Sequence, residues 1–275
     1  MTFHRVSRRV LVTWPVWAAL SAGALLAAPA WADGCSATSG PRLVPLVELY
    51  TSEGCSSCPP ADRWLSSNFP VDAAGANAIA LAFHVDYWDR LGWKDRFASA
   101  AWTERQYAAA RANRSSFVYT PQVLVQGKDF PDWHGRGGAG RLAAEAARPA
   151  RASVALDAES RPGAIAVKAT AHVPAGGDRG GSVLYVALAD SGLASDVRAG
   201  ENAGVRLAHD HVVRALRGGA AVDGNGDAKA NITLPLPSEA GRARTLVAFV
   251  QNTETGDVLQ ALLLPLAGPG CAPPR

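Results

Sequence analysis

One stretch limits what this chain folds into more than any other: Val47-Glu48-Leu49-Tyr50-Thr51-Ser52-Glu53-Gly54-Cys55-Ser56-Ser57-Cys58-Pro59-Pro60-Ala61-Asp62. A short apolar run breaks at Gly54, two cysteines follow three positions apart, and Ala61 to Phe69 reads as a helix. Strand, tight turn and helix in that order place Cys55 at a helix N-terminus, where unpaired N–H groups and the helix dipole favour a thiolate. Pro59 and Pro60 suit a first helical turn, in which a missing N–H costs little. The spacing lets Cys58 close a small disulfide with Cys55, which makes this a dithiol redox site. The competing reading of a lone Cys-x-x-Cys is half a zinc site, and that needs two more ligands. Cys35 and Cys271 stand singly near the ends and form no second pair of that kind. A copper site of Cys55, Cys58 and His84 stays open as an alternative, since thiolates suit Cu(I). The dithiol reading itself calls for no cofactor.

Residues 1–32 read as an export signal. His4, Arg5, Arg8 and Arg9 make a basic start, Val10 to Ala28 is mostly apolar, and Ala30-Trp31-Ala32 is a small-x-small cleavage site ahead of Asp33. The expected location is periplasmic or secreted, with the membrane met only during export. Trp14-Pro15 and the nearby cleavage site count against a retained membrane helix. Ser7-Arg8-Arg9-Val10-Leu11 loosely resembles a twin-arginine signal, and general secretion is the favoured route. The whole chain carries 27 basic and 24 acidic residues, and loss of Arg5, Arg8 and Arg9 with the signal balances the two signs. That balance excludes nucleic acid as a partner held by bulk charge.

Further along, Leu43 to Tyr50 reads as the strand entering the cysteine turn, and Ala78 to Val85 as a strand buried on both faces. Strand, helix and strand at this spacing form a parallel pair with a right-handed crossover. Phe97 to Ala112 and Gly140 to Ala147 read as helices, and Tyr119 to Val125 as a strand opened by Pro121, which has no N–H to give a sheet. Beyond Arg148-Pro149-Ala150-Arg151 the segments are short and β-rich: Ala152 to Leu156, Ala164 to Val173, Ser182 to Ala189, Ala230 to Leu236 and Thr245 to Gln251. Gly, Pro, Asn and Asp separate them, as in a sandwich. The expected plan is therefore an α/β domain over 33–150, a mixed sheet with flanking helices, followed by a smaller all-β sandwich-like domain over 151–275. Asp223 to Asp227 begins like a calcium loop, but Ala228 and Leu234 stand where a glycine and a glutamate are required, so a hairpin turn is expected.

Residues 47–62, together with F-H-V-D-Y-W-D-R-L-G-W-K-D-R-F (83–97) and Y-T-P-Q-V-L-V-Q-G (119–127), resemble a bacterial exported family called domain of unknown function 1223. Gly200-Glu201-Asn202-Ala203-Gly204 and His209 to Arg214 resemble its C-terminal half. The resemblance implies a thioredoxin-like first half, with Cys55 as the exposed nucleophile, Cys58 as the resolving thiol, and Thr120-Pro121 as the cis-proline pair beside the disulfide. Gly54 stands where thioredoxins carry tryptophan, and Ser56-Ser57 replaces their better understood dipeptides, so the redox direction stays open. The function expected is an exported thiol–disulfide oxidoreductase acting on protein thiols or disulfides, served by a redox partner protein. The alternatives are a copper carrier, or a binding protein whose disulfide is static.

Other residues have two readings each. Glu48, seven positions before Cys55, is either a buried base for the resolving thiol or a strand-end carboxylate facing water. His84 and Asp86 share a strand face and are expected to bond to each other beneath the 86–97 loop. Tyr87, Trp88 and Trp93 line a substrate groove or cap the core. His209 and His211 are expected on a solvated face. Cys35 and Cys271, in terminal segments that no core would hold, are expected to form a structural disulfide in an oxidising compartment.

Overall fold

Alternation of burial, and its absence, sorts the strands into layers. The computed structural model describes residues 1–2, 35–71, 77–135, 138–176, 178–239, 241–266 and 271. Apart from residues 1–2, the expected export signal and its expected cleavage site lie outside the described residues. The elements in chain order are Cys35–Thr38 (β1), Leu46–Thr51 (β2), Pro59–Asn68 (α1), Ile79–His84 (β3), Ala100–Ala112 (α2), Gln122–Val125 (β4), Lys128–Asp129 (β5) and Gly138–Ala146 (α3). There follow Ser153–Arg161 (β6), Ala164–His172 (β7), Ser182–Ser191 (β8), Leu193–Asp196 (β9), Arg206–His209 (β10), Val212–Ala221 (β11), Asp227–Pro235 (β12), Ala243–Asn252 (β13) and Val258–Pro265 (β14).

Strands β2 and β3 are buried at every position and pair in parallel, with α1 as their connection. Both are central strands of an eight-stranded sheet ordered β14-β13-β8-β11-β3-β2-β4-β5. On one face Leu46, Tyr50, Leu81 and Phe83 share a core with Val247 and Phe249, and Trp102 of α2 covers it. On the other face Val47, Leu49, Ala80 and Ala82 pack against Ala61 and Leu65 of α1. A four-stranded sheet, β1-β6-β7-β12, shows the alternation of half-buried strands. Its inner residues, among them Leu156, Val167 and Ala169, close over Leu184, Val186, Leu188 and Leu246 of the long sheet.

This architecture corrects the expected fold class. Of the described residues, 43% are strand and 15% helical, so the protein is mostly β, not an α/β domain with a small sandwich attached. The physical reason lies at the outer edge of β3. There β11 adds in parallel, Val212 beside Ala82, and β8, β13 and β14 follow antiparallel. Strands β13 and β14 are nearly continuous apolar runs, suited to burial on both faces of a long sheet, and residues 33–150 and 151–275 therefore share that sheet. The 223–227 turn likewise joins two sheets, since β11 lies in one and β12 in the other. Among the described residues no helix is long and apolar enough to cross a membrane.

Candidate functional site

Where β2 ends, the chain makes a tight turn stitched by its own backbone: Cys55 N–H donates to Ser52 O and Cys58 N–H to Cys55 O, both at 3.2 Å. The turn brings Cys55 and Cys58 into a disulfide. Cys58, not Cys55, is the N-cap of α1, and Pro59 and Pro60 occupy its first positions. These prolines have no N–H, while the next two N–H groups, of Ala61 and Asp62, bond to Cys58 O. The helix therefore offers a thiolate its dipole but few free donors. Ser56 and Ser57 are exposed, whereas both cysteines are 0% exposed. Cys55 is thus not the open nucleophile expected.

What covers it comes from far along the chain. Asn202 Nδ2 donates to Glu53 O at 2.9 Å and to Cys55 O at 3.0 Å. Ser56 N–H donates to Glu201 Oε2 at 3.0 Å, which holds that exposed carboxyl below its ordinary pKa. Gly200 opens this loop with φ +74°, in the left-handed region, and a Cβ there would lie 3.3 Å from Trp93 Cβ. On the opposite side Trp88 packs against Gly54, where a Cβ would come within 3.1 Å of Trp88 Cβ, and Trp88 Nε1 donates to Thr120 Oγ1 at 2.8 Å. The Thr120–Pro121 peptide is cis. Trp88 therefore links the cysteine turn to Thr120-Pro121. Tyr87 and Trp88, both half-buried, pack on the core behind α2, and Trp93 Nε1 donates to Glu53 Oε2 at 2.7 Å. Trp88 and Trp93 thus border the turn.

Beneath the turn lies a cluster of buried titratable groups: Glu53, Asp62, His84, Asp95 and His209. His84 Nδ1 donates to Asp95 Oδ2 at 2.7 Å, and the same oxygen accepts from Glu53 N–H at 2.9 Å. Burial opposes a charged imidazole, but Asp95 outweighs it and raises the pKa of His84. Burial likewise opposes the Asp95 carboxylate, and His84 outweighs it in the lowering direction. Glu53, disfavoured by burial, is held below the ordinary carboxylate range chiefly by His209. His209 Nε2 lies 3.2 Å from Glu53 Oε1, off the line of a hydrogen bond, and the rings of His84 and His209 meet edge to face at 5.0 Å. Asp62 has one side-chain bond, accepted from Thr51 Oγ1 at 3.2 Å, and burial raises its pKa against the pull of His209, His84 and that bond.

Several expectations change here. His84 finds its carboxylate in Asp95, while Asp86 accepts a 2.6 Å bond from Thr103 Oγ1. His209 is buried, not solvated, and His211 turns away at φ +60° so that its Nε2 donates to Phe69 O at 3.1 Å. Glu48 lies on the sheet face opposite α1, beside Tyr50, and is 2.6 Å from the Arg105 guanidinium of α2. It is therefore not brought to the dithiol. The Cys35–Cys271 disulfide is present, but Cys35 is a buried core residue with Cys271 packed against the same cluster, so these cysteines do not lie outside the core. Among the described residues no three His, Cys, Asp or Glu side chains are grouped so as to hold a metal ion, and Cys55 and Cys58 are bonded to each other. Sequence reasoning missed Glu53, Asp62, Asp95 and the 201–202 pair. One signal was available, since Asp62 falls one helical turn after Cys58, on the same helix face.

Fold and site define a mostly β protein whose one long sheet carries a buried Cys-x-x-Cys disulfide, capped by a loop from the C-terminal half. The chain belongs to the family described as Protein of unknown function (DUF1223), whose model matches residues 46–251. That span includes both the cysteine turn and the loop that covers it, but neither Cys35 nor Cys271. A crystal structure of an Agrobacterium tumefaciens protein is similar at 26% identity and a TM-score of 0.55, covering 82% of this chain and 96% of that one. HBP35 of Porphyromonas gingivalis is similar in fold, with 15% identity, a TM-score of 0.59 and coverage of 82% and 76%. No curated protein matches the chain.

Proposed function

We propose that the protein is an exported thiol–disulfide oxidoreductase that exchanges Cys55–Cys58 with protein thiols and disulfides. The observation that carries this reading is the disulfide closed across a four-residue turn at the N-cap of α1, set directly on a buried cluster of carboxylates and imidazoles. A disulfide that served only to staple the fold would need no such charged bed, which is costly to bury. In the oxidising direction a substrate thiolate attacks Cys55 Sγ, the Cys55–Cys58 bond breaks, and Cys58 leaves as thiolate. A second substrate thiolate then attacks the substrate sulfur of the mixed disulfide and releases Cys55. Substrate loses two electrons, and the protein gains them; the reducing direction is the reverse. A redox partner protein restores the starting state. Balanced charge on the exported chain gives nucleic acid no part in this reading.

Complete burial of both sulfurs favours one rival, a static disulfide. Trapping separates the two. Cys58→Ser protein, offered oxidised glutathione while folded, should form an adduct at Cys55 visible as a mass increase, and Cys55→Ser should not form it at the same rate. Folded Cys58→Ser protein that forms no adduct contradicts exchange.

A further inference from the structure

The exchange reading leaves a question open: what takes the proton when Cys58 attacks. The two prolines at the start of α1 remove the N–H donors that a thiolate at a helix N-terminus ordinarily uses. Asp62 lies four residues after Cys58, and residues so spaced stand one above the other on a helix, with Cβ atoms about 5–6 Å apart. Both are buried, Cys58 at 0% and Asp62 at 9% exposure, and Asp62 Oδ2 accepts from Thr51 Oγ1 on β2. We propose that Asp62 is the proton acceptor of Cys58 during resolution of the mixed disulfide, and its donor in the reverse step; this rests on the exchange reading above. As Cys58 attacks Cys55 Sγ, its thiol proton passes to the Asp62 carboxylate, the Cys55–substrate bond breaks, and the substrate leaves as a thiolate.

The surroundings suit the task. A carboxylate in the open is a weak base for a thiol, and burial raises the pKa of Asp62, which makes it a stronger one. His209 on β10, His84 on β3 and the Thr51 hydroxyl on β2 pull in the lowering direction, while Asp95 in the loop before α2 adds to the rise. Glu53 in the turn is engaged by Trp93 and faces His209. Asp62 is thus the one acid of the cluster that combines helical register with Cys58 and a raised pKa.

The test is the rate at which the Cys55–glutathione adduct resolves, followed by acid quench and mass spectrometry across pH. Asp62→Asn should slow resolution about a hundredfold at low and neutral pH, with the two rates converging at high pH, where Cys58 ionises unaided. A purely structural role would not produce that convergence. Thr51→Val supplies a second variant if Asp62→Asn folds poorly. It removes the one side-chain bond that lowers Asp62, so the midpoint of the pH profile should move up. If wild-type protein forms no adduct, the exchange reading falls and this proposal with it. If wild-type resolves and Asp62→Asn matches it at every pH, or Thr51→Val leaves the profile in place, only the Asp62 assignment is overturned.

Discussion

At the scale of single residues, the site holds charges buried away from water. His84 and Asp95 are each 1% exposed and 2.7 Å apart. Removing one partner of such a pair strands the other, at a cost of about 3–5 kcal/mol. Asp95→Asn should lose that much in urea unfolding. The pH dependence has a definite sign. The raised pKa of His84 means its contribution is full below its ordinary 6.5 and is lost as pH rises through the higher folded value. The depressed pKa of Asp95 means its contribution is present above its ordinary 3.8 and is lost as pH falls through the lower folded value. Stability from the pair is therefore greatest between those limits, and Asp95→Asn should flatten the profile at both ends. The cysteine spacing announced a dithiol, but Asp95 could not be read as the partner of His84. Nothing in a sequence says which of the acids in the 86–97 loop folds back, and only the completed loop turns Asp95 inward and leaves Asp86 to Thr103.

At the scale of elements, the Gly200–Gly204 loop decides access. Strand β2, helix α1 and strand β3 were readable from apolar runs and from the Pro59-Pro60 start, because local chemistry dictates them. The cover was not readable, since Glu201 and Asn202 lie some 145 and 147 positions from the residues they hold. Asn202 makes two hydrogen bonds to the turn, each contributing about 0.5–1.5 kcal/mol net. If the loop must lift for a thiol to reach Cys55, their loss should speed reduction of the folded protein about tenfold, at 1.4 kcal/mol per factor of ten. Asn202→Ala followed by stopped-flow with dithiothreitol checks this, and an unchanged rate would mean that the loop does not limit entry. The other elements missed, β1, β5, β9, β10, β11 and β14, hold their places through pairing with other strands more than through local pattern.

At the scale of the whole molecule, the break in composition near residue 150 marks a change of layer within one fold. Strands from both sides of it lie in the same sheet, because β11 finds the open edge of β3. The bond between Cys35 and Cys271 spans 236 residues and anchors β1 over the four-stranded sheet's core. A loop of that length is worth at most about 5 kcal/mol in the chain-entropy model. Cys35→Ser should therefore lower Tm while leaving exchange at Cys55 intact, and equal loss of both would tie the two bridges together. Thiol–disulfide exchange requires that Cys55–Cys58 turn over in the native state. Its most direct test is equilibration of the folded Cys35→Ser, Cys271→Ser protein in a series of glutathione buffers, with the thiols counted by alkylation and the fold followed by circular dichroism. Native-state exchange requires a reversible two-electron transition between disulfide and dithiol, the fold retained throughout. A pair that stays oxidised in every buffer, or opens only as the protein unfolds, would contradict it.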